Sequence, residues 1–492
     1  MKRRTGSVAA SFIFGLCGAS AVDCGEGRAP QSGAVVAGTG GAGPAAGGNG
    51  SAGARQGGAS GTVATAGAGG SGSAATGGAG PATGGAASGN VGGTGGGLVP
   101  GKPGPPASFW QFAAKGYDRA YAIGVDASEN IYVAGTTQDS LGAALVGTFD
   151  VFVRKYAADG EVLWTRQWGE RGYNEITIGG MAVEPSGNFY VVGASVKPGN
   201  GAPDVVTGYL RKYGPGGEAI WAQEVTPPAN VVALDARNNI YVTGRAAGSL
   251  TGSGNGVYLR KYSSSGVPQW NKEFGTPLIE RASDIAVDAE GNVYVAGGTL
   301  GTVENPNTGI HDARLRKFDA SGVETWTRQL ASAADEVLNG VAVDPSGNVY
   351  IAGYTDGALD GAGGNLGDDD AFLRKYDPSG NVLWTEQFGT DRADIIWAVR
   401  VDADGAAYVA GPTVGSLAVA QVGGAYDAFI RKYDRNGVVQ WTSQTGLSTA
   451  DTVFSLAIAP NGNVYGGGMV YGASGSAEPG REDALIVKLD VR

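Results

Sequence analysis

The sequence predicts an all-β fold, a seven-bladed β-propeller of four-stranded antiparallel blades, and three recurrences predict it. A Tyr-centred strand of the form NVYVAG returns at Tyr132, Tyr190, Tyr241, Tyr294, Tyr350, Tyr408 and Tyr465. A strand ending in Arg-Lys-Tyr returns at Lys155, Lys212, Lys261, Lys317, Lys375, Lys432 and Lys488, as Arg-Lys-Phe in the fourth copy and Val-Lys-Leu in the last. A tryptophan returns at Trp110, Trp164, Trp221, Trp270, Trp326, Trp384 and Trp441, at spacings from 49 residues (Trp221 to Trp270) to 58 (Trp326 to Trp384). One period shared by three elements describes a single array.

Each unit holds four strand signals, a (IAVD), b (NVYVAG), c (AFLRKY) and d (VLWTEQF). The runs are short, rich in Val and Tyr, and separated by Asp/Gly turns such as Asp344-Pro-Ser-Gly-Asn and Asp377-Pro-Ser-Gly. Four such strands cannot bury their own faces, so units must stack on one another. The phase of the array closes it. Trp110 precedes the first a strand, whereas the last unit ends after its c strand without a Trp. Supplying the Trp110 segment as the outer strand of blade seven joins the ends into a ring and hides sheet edges.

From about Phe109 to Arg492, the motif GNVYVAG, DAFLRKYD.SG and LWTxQFG resembles the bacterial SBBP repeat proteins, which are seven-bladed β-propellers. The resemblance implies the fold and an exported setting. It brings no catalytic residues.

The N-terminal region reads differently. Lys2, Arg3 and Arg4 precede an apolar run from Val8 to Leu16, and Ala19-Ser20-Ala21 fits a cleavage site. Residues 1–21 therefore read as a secretory signal, too short to span a bilayer. Cys17 and Cys24 are the only cysteines, and each is a candidate for lipidation, which would extend the signal to residue 23. Residues 22–106 are Gly, Ala, Ser and Thr, with too little apolar surface to offset ordering entropy, so a disordered linker is expected. As a Gly-rich coil, about 80 residues would span roughly 50 Å. The propeller is assigned to residues 107–492.

A net charge of −11 argues against nucleic acid or an anionic membrane surface as partner, leaving a lipid anchor as the membrane contact. The propeller has no cysteine and reads as a monomer without disulfides. The strand directions put the short a–b and c–d turns on one face and the variable b–c and d–a loops on the other, where recognition is expected.

Five acids open the a strands on that loop face: Asp118, Glu280, Glu336, Asp394 and Asp451. Glu175 stands one place off in blade two, and Pro227 replaces the acid in blade three. Around an inner ring they would favour a cation or amine. The alternative is that each caps its own d–a loop. Six c-strand arginines (Arg154, Arg211, Arg260, Arg316, Arg374, Arg431) accompany six acids ending the a strands (Asp126, Glu184, Asp235, Asp288, Asp344, Asp402). Blade seven has Val487 and Ala459 instead, so Arg–acid pairs within each blade are expected.

The periodic tryptophans read as packing between blades, each costing about 3–5 kcal/mol on truncation. Trp168 and Trp397 break the period, and Trp397, opening an a strand, is the aromatic binding candidate. The only histidine is His311, so a Ser-His-Asp or His-metal site would have to use it. No D-x-[DN]-x-[DN]-G, GxGxxG, P-loop or HExxH pattern appears, and no cofactor or metal is expected. Asp368, Asp369 and Asp370, together with the ring of acids that open the a strands, would supply the acids of a carboxylate-based glycoside hydrolase. The reading is an exported, noncatalytic propeller, secreted or held at the cell surface, that binds an extracellular or envelope protein or glycan. A polysaccharide-acting hydrolase or lyase and a structural spacer are the alternatives.

Overall fold

The computed structural model describes residues 104–491 apart from 106, 113–115, 171–174, 200–202, 247–255, 276–279, 300–310, 331, 333, 360–363, 419–424, 448–449 and 472–481. The signal, linker and cysteine expectations lie outside the described residues, as does the side chain of Glu175.

Among the described residues, 28 strands form seven four-stranded sheets. Six sheets take consecutive strands in order a-b-c-d; blade five is Glu336–Val343, Val349–Thr355, Asp370–Tyr376 and Val382–Phe388. The seventh combines Ala450–Ile458, Val464–Tyr471 and Glu482–Leu489 with the first strand, Ala107–Phe112. Trp110 lies opposite Ile486 in that antiparallel pair, so the ring closes as the phase of the repeats requires. The seven a strands each touch the a strand of the next blade, forming a closed inner ring. Each a strand is the inner edge of its sheet, leaving one row of backbone N–H and C=O groups facing the axis.

The three recurrent residues turn out to be one row across each sheet. In blade five Ala342 lies opposite Tyr350, Tyr350 opposite Lys375, and Lys375 opposite Trp384. Tyr350 and Trp384 meet at 5.9 Å, and the Lys375 ammonium sits 4.7 Å over the Tyr350 ring. The row then reaches the next blade: Trp384 Nε1 and Lys375 Nζ both donate to the Arg435 carbonyl, at 3.3 and 3.0 Å. Trp164 and Lys155 do the same with Pro215, as Trp326 and Lys317 do with Pro378. The turn glycine beside the indole leaves it room, because a Cβ on Gly437, at φ +87°, would lie 3.1 Å from Trp384. The periodic tryptophans thus pack between blades.

The expected Arg–acid pairing is corrected. The a-strand acid meets Lys, one residue further along: Lys155–Asp126 at 3.4 Å, Lys212–Glu184 at 2.9 Å and Lys375–Asp344 at 3.5 Å. Successive strand residues face opposite sides, so Arg374 points to the other face and donates to Thr385 at 2.7 Å. Arg431 likewise donates to Thr442 and lies 4.0 Å over the Phe388 ring. The acids also receive the hydroxyls of Tyr132, Tyr190, Tyr241, Tyr294, Tyr350 and Tyr408. Burial pushes the Glu184 carboxyl up, but hydrogen bonds from Tyr190, Lys212, Asn188 and Ser186 outweigh it and hold the group at about 2.

Candidate functional site

The five acids that open the a strands do not present a ring of open carboxylates. Asp118, Glu280, Glu336, Asp394 and Asp451 are all buried. Three cap their own d–a loops. Glu336 accepts from Ser332 N at 2.8 Å, Asp394 from Thr390 N and Oγ1 at 2.6 and 2.9 Å, and Asp451 from Leu447 N at 2.8 Å. Glu280 instead pairs with Arg314 and Arg316. Burial raises the Asp394 carboxyl to about 6, against the hydrogen bonds from Thr413 and Thr390 and with the charge of Asp370 adding to the rise.

A second set of acids opens the c strands: Asp150, Asp312, Asp370, Asp427 and Asp483, all fully buried. A d-strand glutamine holds each, Gln167, Gln329, Gln387, Gln444 and, from the closing strand, Gln111. Gln167, Gln387 and Gln444 also tie down the b–c loop: Gln387 accepts from Leu359 N and donates to the Gly357 carbonyl. Of the Asp368–Asp370 run only Asp368 is exposed, and Asp370 is held by Gln387. His311 is exposed on the same face and lies 3.5 Å from Asp335.

Trp397 leads to a feature that the recurrences do not show. Five of the seven a strands carry a β-bulge in the loop-face half, where one extra residue interrupts the ladder. The bulged residues are Tyr121, Gly179, Ser283, Asn339 and Phe454. Asn230 and Trp397 complete the set, their N–H groups bonding the carbonyls of Thr243 and Ala410, which already face Val231 and Ala398. The inner ring therefore carries seven residues of six types at one level. Three consecutive blades supply aromatics, with Trp397 and Phe454 at 6.5 Å and Phe454 and Tyr121 at 5.8 Å. All three are half-buried, and Asn230 and Ser283 are exposed on the remaining arc. Asn339 Nδ2 donates to the Ile396 carbonyl at 2.8 Å, joining blades five and six. Beside Trp397, a narrow cleft lined by Ile395, Pro412, Tyr426 and Met469 has a free volume of about 20 Å³, room for about one water.

Three residues beyond the bulge, about 10 Å along the strand, the residue opposite the b-strand Tyr is small in six blades: Gly124, Ala182, Ala233, Ala286, Ala342 and Ala457. Blade six has Arg400 there. Its guanidinium lies 3.6 Å from Asp284, the residue after the bulge in blade four, and Asp284 also accepts from Val341 N of blade five at 3.1 Å. Trp168, the other aperiodic tryptophan, packs on Tyr213 of blade two.

A beta-propeller repeat of the SBBP type matches residues 325–359, the stretch from the d strand of blade four through the b strand of blade five. The chain carries an SBBP repeat. The matched stretch lies within a ring of seven four-stranded blades. An uncharacterized WD repeat-containing protein of Acanthamoeba polyphaga mimivirus is 24% identical over 351 residues, 57% of this chain and 23% of that protein. The regulatory protein FlaEY of Caulobacter vibrioides is 29% identical over 211 residues, 39% of this chain and 20% of that protein. The chain spans less than a quarter of either relative. Among solved structures, the polysaccharide lyase Uly1 superposes with a TM-score of 0.46 at 10% identity, covering 76% of this chain and 90% of that one. The gluconolactonase XC5397 of Xanthomonas campestris gives 0.34 at 11%, covering 80% and 99%.

Proposed function

We propose that the chain is an exported, noncatalytic binding propeller that engages an envelope or extracellular partner through its b–c/d–a face. The observation that supports this is the unlike ring of bulge residues in an otherwise repetitive frame. Tyr, Lys and Trp recur where the blades must hold together, whereas the bulge column changes from Gly179 to Trp397. Side chains that carry no repeated packing role, at the inner ring beneath the variable loops, are what a recognition surface needs. The signal-like N-terminus supports export. A lipidated Cys17 or Cys24 followed by the Gly-rich linker would tether the propeller to a membrane, and plain secretion would leave it free.

The test is co-sedimentation of the full chain with cell-envelope fractions. Trp397→Ala lowers retention, while Arg435→Glu, on the exposed turn face, leaves it unchanged. Retention lost in the Arg435 variant and kept in the Trp397 variant would put the partner on the opposite face.

A further inference from the structure

We infer that the aromatic arc of Trp397, Phe454 and Tyr121 is a platform for a neutral sugar, with Asn230, Ser283 and Asn339 on the facing arc serving its hydroxyls. The inference rests on the binding reading above and names its ligand class. A pyranose has apolar C–H faces and a rim of hydroxyls, and the ring of bulges is divided the same way. Three half-buried aromatics adjoin one another at 6.5 and 5.8 Å, their planes inclined by 63° and 33°, and the rest of the level is small or polar. The inner-edge backbone adds N–H and C=O groups around it.

A protein partner would need a pocket for an anchoring side chain. The cleft beside Trp397 admits about one water and is too small for one. Rigid rings without a deep pocket suit stacking. The charge nearby selects further. Asp356, Asp368 and Asp391 are exposed on the b–c and d–a loops of blades five and six, against Arg392 on the same loops and Arg281, exposed two residues before Ser283. Arg119 of blade one is occupied by Glu482 while also donating to the Tyr121 hydroxyl at 3.0 Å. This balance opposes a uronate or sulfated sugar and leaves a neutral one.

The experiment is a calorimetric titration of the full chain with neutral gluco-, xylo- and N-acetylglucosamine oligosaccharides, and with oligogalacturonate as the anionic comparison. A neutral oligomer binds, and Trp397→Ala weakens it at least about tenfold without changing the circular dichroism spectrum. Asn230→Ala, an exposed residue outside the packed interior, weakens the same ligand less. Tighter binding of oligogalacturonate, or neutral binding indifferent to both variants, overturns the inference. If no saccharide binds but envelope retention still depends on Trp397, the sugar assignment fails and the binding face stands. If neither depends on Trp397, both fail.

Discussion

Arg400 of blade six reaches past blade five to place its guanidinium 3.6 Å from Asp284 of blade four. Both residues are exceptions in their columns, one the only large side chain and the other the only ionisable one at its level. Burial raises the Asp284 carboxyl, and Arg400 and the N–H groups of Val341 and Ile285 work against that rise. Arg400→Ala should therefore destabilise by about 1–2 kcal/mol, less than a fully buried pair because the arginine is partly exposed. Adding Asp284→Ala should recover part of the loss. Urea unfolding of the two single variants and the double variant checks this; additive effects would show that the groups do not interact.

The pairing inside the blade gives a sharper contrast. Lys375 and Asp344 should couple in a double-mutant cycle by about 1 kcal/mol or more, because both are buried and share Tyr350. Arg374 and Asp344 should show none, since Arg374 is bonded to Thr385 on the other face. Coupling to Arg374 instead would mean that the register between the b and c strands is shifted by one.

Asp394 sets a pH dependence. Its folded carboxyl is raised to about 6 from an ordinary value of 3.8, so the stability it contributes is present below about 3.8 and is lost as pH rises through 6. Asp394→Asn keeps an acceptor for Thr390 and removes the titration. The variant should gain on the wild type between pH 4 and pH 7, by up to about 3 kcal/mol. Thermal melts across that range read it out, and a parallel pair of curves would contradict the burial argument.

Much of the fold was legible because its signals are local and repeated. The phase of Trp110 against the last strand was sufficient to close the ring, and Asp/Gly turns marked most hairpins on one face, with Glu129 and Asn238 at positive φ where blades one and three lack the glycine. The Lys partner of the a-strand acid was not legible from adjacency, because Arg374 and Lys375 differ by one place and a strand sends them to opposite sides. The row Tyr350–Lys375–Trp384 held the answer, since those are the columns that recur together. The five loop-face acids were visible, but whether they faced the axis or their own loops depended on backbone contacts that composition does not encode. The bulge escaped because its column holds Tyr, Gly, Asn, Ser, Asn, Trp and Phe. The only trace is that Trp397 breaks a pattern, and Phe454 and Tyr121 become its partners only once blades six, seven and one are side by side.

Hydroxyl-radical footprinting of the full chain, free and bound to the envelope material that retains it, tests most directly whether recognition sits on the inner ring of bulges. Trp397, Phe454 and Tyr121 should lose reactivity on binding, while Trp270 and Trp384 between the blades keep theirs. Protection confined to the turns around Asp404 and Arg435, with Trp397 unchanged, would contradict the account.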